Sequence, residues 1–155
     1  FAQALSTCIS QNLGAGKYER AKQGCRFGII TCVLIAECIG FFNFILGPVL
    51  IGLFNKDPEV IAFGVRQIRV QTLFYCFLSL SHSIAGVLRG AGKAKVPMFV
   101  MLGCWCLFRF IYLSIAMRIS HTIELVFAVY PLSWTMSSII LLVYLAKSKW
   151  LHGLD

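Results

Sequence analysis

The chain has 155 residues, 59% of them hydrophobic and 13% charged, with a net charge of +8 and a mean hydropathy of +0.82. Water-soluble domains run closer to about half apolar and about a quarter charged, so composition excludes an ordinary soluble enzyme or binding module. No face interleaves basic and aromatic residues, which argues against a nucleic-acid partner for the excess positive charge.

The stretch from Phe1 to Leu13 reads as the end of a helix already under way. The chain opens on Phe1 rather than Met and has no basic segment of the signal-peptide kind, so it is expected to be the C-terminal part of a longer protein lacking its upstream spans. Gly14 and Gly16 suit a helix C-terminus, where positive φ is needed, and Glu19 and Arg20 begin a basic segment expected to lie on the cytoplasmic side.

Four apolar stretches follow, at residues 27–54, 68–88, 98–117 and 123–146. About 20 helical residues at about 1.5 Å each cross about 30 Å of hydrocarbon, so each stretch is expected to cross once. The expected fold is an all-α polytopic transmembrane helix bundle of about four and a half helices. Gly47-Pro48 should bend the first span, and Asp57 with Pro58 reads as the N-cap and first turn of an outer helix. A second glycine turn runs from Gly86 to Pro97, the last two spans turn around Ser120-His121, and residues 147–155 form a tail. Trp105, Trp134 and Trp150 are available as interfacial anchors.

Charge sets the orientation. Lys17, Arg20, Lys22, Arg26, Arg89, Lys93, Lys95, Lys147 and Lys149 fall on one side, and Lys56, Arg66, Arg69 and Arg118 on the other. Nine against four places the first group, and the C-terminus, in the cytoplasm.

The chemistry-bearing motifs are few. Neither glycine turn is a nucleotide loop, because GxxxxGK followed by a hydroxyl residue would need glycines where Gln11 and Val87 stand. The seven cysteines contain no CxxC pair, and Cys104 and Cys106 point to opposite sides of a helix, so they read as free thiols and no metal site is expected. No catalytic Ser/His/Asp set, HExxH motif or close carboxylate pair is present, and no enzymatic activity is expected.

Glu37 and Arg109 are the two charges deep within spans, where a lone charge costs at least about 2.5–3.5 kcal/mol. They lie at similar depth, roughly 15–18 Å from the cytoplasmic side. The pair is expected to be a structural ion pair or packing feature, with coupling or cationic-substrate contact as the alternative role for Glu37. Asn43, Gln71 and His82 are candidate polar groups of a cavity, alongside Ser79, Ser81 and Ser83. Most such groups serve as interhelical contacts, while a histidine titrates near neutral pH and can report a proton gradient. The Phe41-Phe42-Phe44 and Phe74-Tyr75-Phe77 clusters are expected to face lipid, or alternatively to line an aromatic cavity.

Taken together, three motifs resemble the multidrug and toxic compound extrusion (MATE) family. Gln11, Gly14 and Ala15, followed by Ala21, are similar to its Q-x-x-G-A … A segment; Gly86, Arg89, Gly90, Gly92 and Pro97 resemble its G-x-x-R-G-x-G-x-x-x-x-P turn. Pro131-Leu132-Ser133-Trp134 resembles a Pro-hydrophobic-Ser-Trp stretch of its last helix. The resemblance implies an antiporter of twelve helices in two six-helix lobes, with this chain running from the end of the eighth helix (residues 1–13) through the twelfth. It implies export of small amphipathic or cationic compounds driven by Na⁺ or H⁺, alternating access, no cofactor, and a multi-pass place in the plasma membrane. Its implied partners are membrane lipids and an N-terminal lobe in the same chain. Some members carry a coupling acid in the tenth helix; residues 68–88 contain no Asp or Glu, so coupling is expected to rest upstream of Phe1. A lipid-linked sugar flippase and a non-transporting membrane module are the competing readings.

Overall fold

A computed structural model describes residues 1–119 and 122–148. The expected turn at Ser120-His121 and the expected positions of Lys149, Trp150 and the rest of the tail lie outside the described residues. The protein is an all-α membrane helix bundle, with no strand among the described residues. Its elements are α1 (Ala2–Gly14), α2 (Tyr18–Gly52), α3 (Pro58–Thr72), α4 (Tyr75–Gly90), α5 (Lys95–Leu102), a π-helical turn (Gly103–Leu107), α6 (Phe108–Ile119) and α7 (Ile123–Lys147).

Among the described residues, three helical runs are long and apolar enough to cross a membrane: Tyr18–Gly52, Lys95–Ile119 and Ile123–Lys147. Helices α3 and α4 meet the same test of length and hydropathy only as a pair. The stretch expected to cross as one helix over 68–88 consists of α3 and α4, bent by 54° at Leu73-Phe74. The first span also differs from expectation, because helix α2 begins at Tyr18 and takes in the basic segment as its opening turns. At 35 residues it is about 52 Å long, well beyond the hydrocarbon thickness, so its basic first two turns stand outside the apolar layer. Helix α2 runs on through Pro48. As expected, Asp57 caps α3: its Oδ1 accepts the Glu59 amide at 2.9 Å, and Pro58 occupies the first helical position.

Helix α4 lies at the centre, packed on α1, α2 and α7. Its contact with α1 depends on missing side chains. A Cβ on Gly86 would lie 2.5 Å from the Ala2 carbonyl oxygen, and one on Gly90 would collide with the Ser6 carbonyl. Two glycines four residues apart therefore let two backbones touch, as small residues do between membrane helices. Ile84, Ala85, Leu88 and Leu141 form the buried seam between α4 and α7, beside Ser81, Ser83, Ser133, Ser137 and Ser138. The serines bond carbonyls of their own helices, for example Ser83 Oγ to Ser79 at 2.6 Å and Ser137 Oγ to Trp134 at 3.0 Å.

The tetrapeptide Gly-Ala-Gly-Lys ends both α1 and α4, at residues 14–17 and 90–93. Among the described residues, positive φ occurs at Gly16 (+69°) and Gly92 (+76°). The Lys17 amide donates to Asn12 at 2.8 Å and the Lys93 amide to Leu88 at 2.8 Å, while Gly16 and Gly92 donate to Leu13 and Arg89. Each turn is thus the same Schellman closure of a helix end.

Candidate functional site

The site is built where α3 gives way to α4. Breaking a helix at membrane depth leaves amides with no carbonyl one turn back, and hydrocarbon offers no water to replace it. The Phe74 amide turns back to Gln71 (3.0 Å), and Phe77 and Leu78 donate to the Phe74 carbonyl (3.1 and 3.3 Å). The Cys76 amide is met from another helix: Glu37 Oε1 of α2 accepts it at 2.6 Å. A carboxylate at the first turn of a helix also faces the positive end of its dipole. Gly40, three residues along the same face of α2, makes the approach possible. A Cβ there would lie 3.1 Å from the Thr72 carbonyl oxygen and 3.2 Å from the Tyr75 ring. Glu37 and Gly40 together hold the break.

Arg109 occupies a different environment. Its Nε and Nη2 donate to Ser133 Oγ at 3.1 and 3.0 Å, and its guanidinium lies 4.7 Å from the Tyr130 ring centre and 5.5 Å from that of Trp105. Trp105 Nε1 in turn donates to Ser137 Oγ at 3.1 Å. His82 stands edge-on to Trp105 at 5.2 Å, and Trp134 packs 6.1 Å from both Tyr75 and Tyr130. The cation is thus housed between aromatic faces and a buried serine, an arrangement worth more in a desolvated setting than at a wet surface. The π-helical turn lies beside this cluster and carries Trp105.

The structure does not join the two deep charges. Equal depth does not imply a shared face: α2 packs on α3 and α4, whereas α6 packs on α7. Among the described residues the ion pair is Arg66, midway along α3, with Glu124 in the first turn of α7, 2.7 Å apart and exposed. Sequence reading assigned Arg66 a side but did not pair it with Glu124. It also did not foresee Arg69 over the Phe44 ring at 5.5 Å, beside a cavity of about 570 Å³ lined by Ala62, Arg66 and Leu73.

The remaining candidates are dispersed. Asn43 and Gln71 are half-buried on α2 and α3, and His82 is exposed on α4. Gln11, Gly14, Ala15, Arg89 and Gly92 lie exposed at the two helix-ending turns, Gly90 is half-buried against α1, and Pro97 is buried in the first turn of α5. Phe41 and Phe42 are exposed on α2, while Tyr75 turns inward to Trp134. Of the Pro-Leu-Ser-Trp stretch, Pro131, Ser133 and Trp134 are buried, and Ser133 and Trp134 belong to the cluster around Arg109. All seven cysteines are free, Cys104 buried and Cys106 exposed, and no group of three metal-ligating side chains occurs among the described residues.

Comparison with known proteins places this architecture. The chain is 29% identical over 97 residues to the probable multidrug resistance protein NorM of Thermotoga maritima, covering 63% of this chain and 21% of that protein. It is 28% identical over 96 residues to multidrug and toxin extrusion protein 2 of Mus musculus, covering 62% and 17%. It is 32% identical over 111 residues to protein DETOXIFICATION 16 of Arabidopsis thaliana, covering 67% and 21%. The chain therefore spans about a fifth of the length of these curated relatives. The MatE family model matches residues 1–115, which takes in both glycine turns, the broken span and Arg109, and the chain belongs to that family.

Proposed function

We propose that this chain forms part of the C-terminal lobe of a twelve-helix, two-lobe antiporter that exports amphipathic or cationic compounds by alternating access, driven by Na⁺ or H⁺. The observation that carries the proposal is the family match over residues 1–115, which includes the bent α3–α4 pair. Broken spans concentrate unpaired backbone groups and helix dipoles near the bilayer midplane, where transporters bind ions and substrates. The names of the relatives, multidrug resistance and toxin extrusion, support the same substrate class.

In this reading α1 is the end of the eighth helix, α2 the ninth, α3 and α4 the tenth, α5 to α6 the eleventh and α7 the twelfth. The nine-to-four excess of basic residues in alternate loops of the sequence supports a cytoplasmic C-terminus in a plasma-membrane protein. Glu37 serves as the cap of the broken tenth helix, and Arg109 as a structural cation of the α6–α7 contact. The coupling carboxylate then lies elsewhere in the whole transporter. The protein needs no cofactor beyond the coupling ion and performs no enzymatic reaction.

The test is efflux of a fluorescent organic cation from cells that express the full-length protein and lack other pumps. Expression should lower dye accumulation several-fold, and an ionophore that collapses the coupling gradient should abolish the difference. Unchanged accumulation with the protein present in the membrane would refute the proposal.

A further inference from the structure

At the basic end of the bundle, the first turns of α2 and the last turns of α7 enclose a groove of about 500 Å³ that belongs to neither site above. Lys22 and Arg26, one turn apart on α2, stand at its rim, and Ile29, Ile30, Leu142 and Leu145 form its floor. Neither cation has an acidic partner among the described residues; Glu19, one turn before Lys22, makes no ion pair with it. Lys147, in the last turn of α7, adds a third positive charge at the same end. From Arg26 to Ile30 the helix rises about 6 Å, so the groove passes from charged rim to apolar floor over the thickness of a lipid headgroup region.

We propose that this groove holds an anionic diacyl phospholipid from the leaflet bathing the basic end, its phosphate on Lys22 and Arg26 and its first methylenes along Ile29, Ile30 and Leu142. Charge complementarity selects the anionic headgroup, because ammonium and guanidinium donors form charge-assisted bonds to phosphate oxygens. The apolar floor selects a lipid over free phosphate, since a small anion gains nothing from isoleucine and leucine. This inference rests on the membrane placement of the bundle and not on the transport reading.

The experiment is native mass spectrometry of the full-length protein in mild detergent, with phosphatidylglycerol or phosphatidylcholine of matched chains added. Phosphatidylglycerol should be retained in preference, and Lys22→Gln with Arg26→Gln should weaken its retention about thirtyfold, from about fivefold per basic contact. Lys22→Arg with Arg26→Lys should keep it. Ile30→Trp, which leaves both charges and fills the groove, should lose it. Equal retention of the two lipids, or an unaffected double Gln variant, would overturn the proposal. So would inorganic phosphate that binds as tightly as the lipid regardless of Ile30→Trp, which would assign a free anion. An Ile30→Trp protein that fails to fold, with no lipid adduct on the parent, would assign the groove to another helix of the full chain. Dye efflux measured on the same variants separates failure of this site from failure of the transport proposal.

Discussion

Glu37 Oε1 accepts the backbone amide of Cys76 at 2.6 Å, a contact between residues 39 apart in sequence. It supplies from α2 the acceptor that the break between α3 and α4 removes, and so converts a costly interruption at membrane depth into a stable bend. The carboxylate meets both the backbone amide and the thiol of Cys76, and its bond to the amide makes its role a question of shape before charge.

Glutamine keeps a side-chain oxygen within reach of Cys76; alanine does not. Glu37→Gln should fold, run as a monodisperse peak and retain efflux within about threefold. Glu37→Ala should lose about 1–3 kcal/mol by leaving the amide unmet, read as a lowered melting temperature in detergent. A Glu37→Gln protein that folds normally yet transports nothing would instead make Glu37 the coupling acid.

The α1–α4 contact gives a sharper contrast between glycines. Gly90→Ala puts a methyl group into the Ser6 backbone and Gly86→Ala one into that of Ala2, so each should cost about 1–3 kcal/mol. Gly103→Ala meets nothing within 4 Å and should be neutral or stabilising by up to about 1 kcal/mol. Melting temperatures of the three variants check this order; equal values would deny the close backbone approach.

The two Schellman turns should respond alike. Gly16→Ala and Gly92→Ala each force a Cβ into the left-handed region at a cost of roughly 1–2 kcal/mol, and similar losses of thermal stability are expected. Gly14→Ala, at a helical position with nothing nearby, is the control that should change little.

Arg109 and Ser133 form a testable pair. Ser133→Ala removes the acceptor of two guanidinium bonds and should cost about 1.5–3 kcal/mol. Arg109→Leu together with Ser133→Ala should cost less than the sum of the single changes, because neither leaves a buried polar group behind. Additive losses would show that the two residues are independent.

What the sequence made legible is what local rules govern. The apolar character of the helices, the Asp57 cap and the glycine turns all follow from residues within a few positions of each other. The break at Leu73-Phe74 was not legible, since no Gly or Pro marks it and its stabilising groups, Glu37 and Gly40, come from another helix. The same reason defeated the expected Glu37–Arg109 pair: depth can be counted along a chain, but the face each helix turns to its neighbour is set by packing. The Pro-Leu-Ser-Trp stretch lies between these cases, visible as a motif while its partner Arg109 was not.

The proposed cation-driven antiport is tested with the full-length protein in proteoliposomes loaded with a fluorescent organic cation. An imposed opposing Na⁺ or H⁺ gradient should accelerate release of the dye at least several-fold, and reversing the gradient should drive uptake. Release that ignores both gradients, from protein shown to be folded and inserted, would contradict the account.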